Sequence, residues 1–375
     1  MIAGILKESG SERRVALLPG EVLSLRKLGA EVIVENHTGE NSFTSDDDYI
    51  KAGAILARRE EVITRSDILL SVLPPVDDSI GAFRAGQVLC CIVNPVENSQ
   101  WLEKARQKGL TVMALDLVPR TTRAQAMDVL SSMATVAGYK AVIDAASILP
   151  RFFPMFMSAS GTIKPARVLI LGAGVAGLQA IAVARKLGAV VEVFDVRSAV
   201  REEVKSLGGR FIEVEGAREE ASAGGYAVEQ NEEFRRKQQS LIQEHVAISD
   251  VVICTAQIPG KKAPVLIDAG TVGLMKAGSV IVDIAASTGG NCELTEYRKN
   301  KIVKGIHIIG ETDYASDMPT DASRMFGSNI INLLKIIVDK NGGLNFNMSD
   351  DIIIGTVAVH KMEYVSQRLK QMLNL

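Results

Sequence analysis

The chain is poor in the residues that build metal centres and covalent frameworks. Of its 375 residues, four are cysteine and four are histidine. Cys90, Cys91, Cys254 and Cys292 form no CxxC pair and no ligand cluster with His37, His245, His307 or His360, so neither a zinc site nor a disulfide framework is expected. Excess charge is lacking as well. Lys and Arg number 42 against 44 Asp and Glu, a net charge of −2, and the isoelectric point lies near 6.2. That balance supplies no positive field for nucleic acid, and none is expected as a partner. Long apolar runs are scarce. The stretch 168–184 carries no charge, yet it is marginally short for a bilayer, crowds three glycines into one turn and is followed by Arg185 and Lys186, so it fails as a membrane span. The opening MIAGILKESGSERRVALLP reads as a short strand and not as a signal peptide. A cytoplasmic, metal-free chain is expected.

What is present begins with ARVLILGAGVAGLQAIAVARKLGAVVEVFD, which reads as an apolar strand, a glycine-rich turn, a helix and a second apolar strand closing on Asp195. This is the layout of a dinucleotide-binding βαβ unit. Gly172 permits the tight turn, Gly174 lets the backbone approach a pyrophosphate, and Gly177 lets the helix pack on the strand. The phosphates would then meet the helix N-terminus at Val175 and Ala176, with its free amides and positive dipole end. The acid about 20 residues past the first glycine is Asp195, placed to accept from the adenine ribose hydroxyls and to repel a 2′-phosphate by about 1 kcal/mol or more. NAD(H) is favoured over NADP(H). Arg197, beyond Val196, keeps the second nucleotide open, because an arginine there can receive a 2′-phosphate.

A hydrophobic fraction of 47% over this length can fill two cores. Apolar strand-like runs alternate with amphipathic helical stretches, which predicts an α/β protein with two Rossmann-like, doubly wound parallel-sheet domains linked by long helices. The first set of strands is Ile2–Leu6, Glu31–Val34, Asp67–Val72, Gln87–Val93 and Thr111–Ala114. The second is Val168–Leu171, Val190–Phe194, Arg210–Val214, Asp250–Thr255, Ser279–Ile284 and Ile306–Ile309. Helical patterns cover Ala124–Ala146 and Arg324–Val338. The expected division is an N-terminal Rossmann-like domain over 1–127, an NAD(H)-binding domain over 128–318, and a segment over 319–375 that returns to the first domain.

Two polar concentrations interrupt the alternation. From Glu215 to Gln243 the chain is charged and punctuated by Gly224 and Gly225, too long for an ordinary connection. It reads either as a lid, with Tyr226 beside two hinge glycines, or as a solvated excursion. In VPRTTRAQAMDVLSS, a continuous helix would place Gln125, Asp128 and Ser132 on one face, with Ser131 adjacent and Arg120 just before it. That face is either solvated surface or part of a ligand cleft.

These segments together resemble a known family. KESGSERRVALLPGEV, PRTTRAQAMDVLSSMATVAGYKAV, GAGVAGLQAIAVARKLGA, the AGGYA loop, TAQIPGKKAPVLI, VDIAASTGGNCELT and GETDYASDMPTDAS look like the NAD(H)-binding component of proton-translocating nicotinamide nucleotide transhydrogenase. The likeness runs over nearly the whole chain. Alanine dehydrogenases share the N-terminal signature and the glycine turn, but carry a substrate-binding lysine where Leu73 stands and a catalytic histidine where Val93 stands. Oxidising an amine needs a positioned acid or base, worth roughly 10²–10⁴ in rate. Exchange of hydride between two nicotinamides needs none, since no proton travels with it.

The resemblance implies an NAD(P)+ transhydrogenase component, proton-translocating and Si/Re-specific, which passes a hydride between NADH and NADP+. NADP(H) would be held on a partner domain, and a membrane-embedded subunit would conduct the protons. It also implies a homodimer attached peripherally to the inner membrane through its partners. By residue match, Arg120, Gln125, Asp128 and Ser131 would surround the nicotinamide, Tyr226 would close over the nucleotide, and Gln257, Ile258, Pro259, Gly260 and Ala285 would line the rest of the NAD cleft. Met133 stands where the family usually has glutamine, and Asp317 where it usually has arginine.

Overall fold

Strands that are apolar on both faces can be buried only in a sheet covered on both sides, and such strands dominate the chain. In the computed structural model, which describes residues 1–213, 232–258, 261–339 and 342–375, they are β1 (Ile2–Ile5), β2 (Glu31–Glu35), β3 (Ile55–Ala57), β4 (Ile68–Leu70), β5 (Val88–Cys91) and β6 (Thr111–Ala114). A short hairpin, β7 (Phe156–Ser158) and β8 (Gly161–Ile163), follows. Next come β9 (Arg167–Leu171), β10 (Val190–Phe194), β11 (Arg210–Ile212), β12 (Val251–Cys254), β13 (Val280–Asp283), β14 (Asn300–Val303) and β15 (Ile306–Ile309). The last pair is β16 (Val357–His360) and β17 (Glu363–Tyr364).

The chain divides into two units, one formed by Met1–Met133 with Ala315–Leu375 and the other by Ala134–Tyr314. In the first, the sheet order is β17-β16-β6-β5-β4-β1-β2-β3. β1 to β6 are parallel, whereas β16 joins β6 antiparallel and β17 joins β16 antiparallel. In the second, the order is β11-β10-β9-β12-β13-β15-β14, parallel except for β14 at the edge. The doubly wound parallel sheets expected from the strand pattern are present, and each gains an antiparallel edge: β16 and β17 in the first, β14 in the second. β3, β7, β8, β14, β16 and β17 lie outside the predicted set of strands.

Alternation along each strand sends neighbouring residues to opposite faces. In the second unit, Val168, Ile170, Val251 and Ile253 pack with Ala180, Ile181 and Ala184 of the helix Val175–Lys186 and with Ala141, Val142 and Ala145 of the helix Val129–Ile148. Leu169, Leu171, Val252 and Ile281 pack on the other face, against Ile242 and Val246 of the helix Glu232–Ile248. This is a doubly wound layer structure. The long excursion expected over Glu215–Gln243 is thus helical from Glu232 onward. Gly224, Gly225 and Tyr226 lie outside the described residues. The later helix spans Pro319–Ile337, starting earlier than the predicted Arg324 because Pro319 suits its first turn.

Candidate functional site

The register of the second sheet brings four connections to one edge. Leu171 lies opposite Phe194 and Cys254, and Cys254 opposite Asp283, so β9, β10, β12 and β13 end level. The strand order reverses between β9 and β12, and in open α/β sheets the crevice at that point is where ligands bind.

The three glycines after β9 have three different roles. Gly172 has φ 103°, a conformation that L side chains rarely adopt, and a Cβ there would stand 2.7 Å from Thr255 Oγ1. A Cβ at Gly177 would stand 2.0 Å from the carbonyl oxygen of Gly172, so only glycine lets the helix Val175–Lys186 start this close to the strand. Gly174 differs from both. Its φ of −77° is ordinary, and among the described residues a Cβ there would meet nothing within 4 Å. Open space therefore fronts a helix N-terminus that has no side-chain cap, where the first amides, those of Val175 and Ala176 among them, and the positive dipole end can receive an anion.

Asp195 closes β10 with its side chain 6% exposed. Its Oδ2 accepts from the Ala173 amide at 2.7 Å and from Arg197 Nη2 at 2.7 Å. Its Oδ1 accepts from the Arg197 amide at 2.8 Å and from Arg197 Nε at 2.9 Å. Val196, between them, is half-buried. After β12, Thr255 Oγ1 donates to the Gly172 carbonyl at 2.9 Å and ties the two connections together. Asn291, fully buried, accepts from the Ala256 amide at 3.0 Å and donates through Nδ2 to the Ala256 and Pro264 carbonyls. Gln257 is exposed and donates to the Ile284 carbonyl at 3.2 Å. Ile258 follows it, half-buried, while Pro259 and Gly260 lie outside the described residues. Ala285 is buried, with its amide donating to Asp283 Oδ1 at 3.1 Å, so it shapes the turn after β13 by bulk. Burial holds the Asp283 carboxyl above its usual range despite donors from Asn291, Cys292 and Thr295.

Sequence reasoning missed Thr255, Asn291 and Gly138. Asn291 follows two glycines, and a polar residue buried at a strand end is the signal that was available. Gly138 sits where a Cβ would come within 2.1 Å of the Ala176 carbonyl oxygen, so the helix Val129–Ile148 can cross the glycine-turn helix closely.

Arg120, Gln125, Asp128 and Ser131 belong to the first unit. The expected placement of Gln125, Asp128 and Ser131 on one continuous helix, with Arg120 just before it, is corrected. Thr122–Met127 forms a 3-10 turn, Asp128 leaves helical geometry at ψ 92°, and the α-helix begins at Val129. The cause is capping: Asp128 accepts from the Ser131 amide at 2.9 Å and from Ser131 Oγ at 2.6 Å. Gln125 is exposed on the turn, with Arg120 exposed before it. Asn329 and Asn332 hold that turn by donating to the Ala126 carbonyl. Among the described residues no cluster of His, Cys, Asp or Glu could hold a metal, and no helix is long and apolar enough to cross a membrane.

A Rossmann-ordered sheet with an open, glycine-lined helix N-terminus at its switch point defines a nucleotide-binding α/β protein. The chain belongs to the alanine dehydrogenase/PNT family: the N-terminal domain model matches residues 4–137 and the C-terminal domain model residues 141–367. It is 42% identical to NAD(P) transhydrogenase subunit alpha of Haemophilus influenzae over 97% of this chain and 72% of that one. The transhydrogenase structure from Sinorhizobium meliloti is 41% identical with a TM-score of 0.89, over 97% of this chain and 100% of that one. Alanine dehydrogenase of Mycolicibacterium smegmatis is 32% identical over 77% of this chain and 74% of its own length.

Proposed function

We propose that this chain binds NAD(H) in the crevice of its second unit and exchanges hydride with NADP(H) held on a separate partner domain. A membrane-embedded subunit of the same complex would couple that exchange to proton translocation, and the chain would attach to the membrane through these partners. The observation that carries the reading is the likeness, over nearly all of this chain, to the transhydrogenase alpha subunit. Leu73 and Val93 support it, because neither can bind a carboxylate or carry a proton.

Hydride passes between two nicotinamide rings with its electron pair and releases no proton, so the protein's task is alignment. Aligned, near-attack geometry can supply roughly 7–11 kcal/mol of such a barrier. Gly172, Gly174, Val175, Ala176 and Gly177 would hold the pyrophosphate and Asp195 the adenosine ribose. Arg120, Gln125, Asp128 and Ser131 would hold the nicotinamide end. The Asp128–Ser131 pair is already fixed by two hydrogen bonds, which suits a positioning role. A homodimer is supported by the hairpin β7–β8, whose Phe156, Met157 and Ile163 are 46%, 69% and 42% exposed. Phe152 stacks on Phe156 at 5.0 Å between ring centroids. Burying such side chains contributes about 1.5–3 kcal/mol each.

The test is Gln125→Asn in the complex reconstituted with an NADP(H)-binding partner domain. Withdrawing the amide by one methylene should lower hydride transfer by about 10²-fold with little change in NADH affinity. Transfer at the normal rate would place the nicotinamide site elsewhere.

A further inference from the structure

The Asp195 carboxylate, the group expected to receive the adenosine ribose, is already fully used. A carboxylate offers about four acceptor positions. Two are taken by backbone amides, those of Ala173 and Arg197, and two by the Arg197 guanidinium through Nε and Nη2. The amides belong to the frame of the crevice and cannot leave. The guanidinium is the occupant that can move, because it sits at the end of a side chain that is 26% exposed.

We propose that Arg197 is a specificity-determining residue that competes with the dinucleotide for Asp195, a reading that rests on the second unit's crevice being the NAD(H) site. A ribose diol that donates to Asp195 must first displace the guanidinium, so Arg197 weakens NADH binding. The same guanidinium neutralises the carboxylate and, once displaced, remains beside the ribose as a partner for a 2′-phosphate. Arg197 therefore softens the discrimination that Asp195 alone would impose. The class of ligand it governs is the adenosine end of a pyridine dinucleotide with or without a 2′-phosphate.

The experiment is calorimetric titration of the full chain, its Arg197→Ala variant and its Arg197→Lys variant with NADH and NADPH, and with 5′-AMP and 2′,5′-ADP as probes of the adenosine half alone. Arg197→Ala should bind NADH and 5′-AMP about three- to tenfold more tightly and NADPH and 2′,5′-ADP more weakly, widening selectivity by tenfold or more. Arg197→Lys keeps the charge without the planar fork and should fall between. Weaker NADH binding by Arg197→Ala would show that the arginine is a direct contact of the nucleotide and overturn the proposal, as would unchanged affinities for all four ligands. If the unmutated chain binds neither NADH nor 5′-AMP, the nucleotide-site reading fails first and the competition falls with it.

Discussion

Both sheets place their first six parallel strands in the order 3-2-1-4-5-6, yet the chain leaves the first strand differently in each. After β9 it turns at once through Gly172 into a helix that begins at Val175. After β1 it runs on through Glu8, Glu12 and Arg14 before the helix Pro19–Lys27 begins. In the second unit the helix N-terminus is left open. In the first unit, Glu8 delivers its own carboxylate to the end of β4, accepting from the Val72 amide at 2.6 Å and the Leu73 amide at 3.2 Å. Arg14, which could have offered a cation, is held by Glu12 at 2.6 and 2.8 Å. Strand order makes a crevice in each unit, and the residues after the first strand decide whether backbone donors there meet an outside anion or the chain's own carboxyl oxygens.

The largest test of this contrast is Gly177→Ala. The new methyl would lie 2.0 Å from the Gly172 carbonyl oxygen, a backbone atom at the centre of the turn. Helix and strand must separate, and overpacking of this kind against backbone should cost about 3 kcal/mol or more. The expected result is a lower urea midpoint together with loss of NADH binding. A variant of normal stability would mean that the close helix–strand contact does not define the open crevice.

Gly174→Ala should separate binding from folding. Its φ of −77° suits alanine, and among the described residues the new methyl meets no atom within 4 Å. Stability should hold or rise by less than about 1 kcal/mol, since alanine restricts the unfolded chain. NADH affinity should fall by about 10²-fold, because the methyl occupies the space through which a pyrophosphate reaches the amides. Normal NADH affinity in this variant, measured by calorimetry, would remove the glycine turn from the nucleotide site.

The glycine turn and the parallel strands around it were legible because their signals are local: apolar runs, a glycine spacing and an acid at the next strand end. What escaped depends on distant partners. β16 is strand because it pairs with Val112 and Met113 of β6, far back in the chain, and β3 is only Ile55–Ala57 at a sheet edge. Apolar periodicity over Ala124–Ala146 runs on through a 3-10 turn, so it reads as one helix. The signal against it was Asp128 three residues before Ser131, a capping spacing inside an apparent helix. The partnership of Asp195 with Arg197 was also within reach, since the two are separated only by Val196. Each residue taken alone reads as a contact for the nucleotide, which conceals that the two satisfy each other.

The smallest effect tests the closed crevice of the first unit. Burial pushes the Glu8 carboxyl from 4.5 up to about 7, with Glu12 adding to the rise while the Val72 and Leu73 amides and Arg14 oppose it. The folded state therefore holds a proton on Glu8 that the unfolded chain has already released. Between about pH 4.5 and 7 the folded state binds more protons, so stability falls as pH rises through this window and levels off above it. The full contribution, at most about 3 kcal/mol, is present below the unfolded value. Asp116 is raised by burial as well and adds a slope of the same sign, so the wild-type curve alone cannot isolate Glu8. Glu8→Gln removes this one titration and keeps one of the two oxygens that the Val72 and Leu73 amides use, a loss that does not vary with pH. Its stability relative to the unmutated chain should improve by about 2.5 kcal/mol between pH 5 and pH 8, as read from paired urea midpoints. A difference that stays constant over that range would show Glu8 ionised throughout. Burial would then not govern this carboxyl, and the first crevice would be filled by a charged group held by its two amides and not by a protonated one.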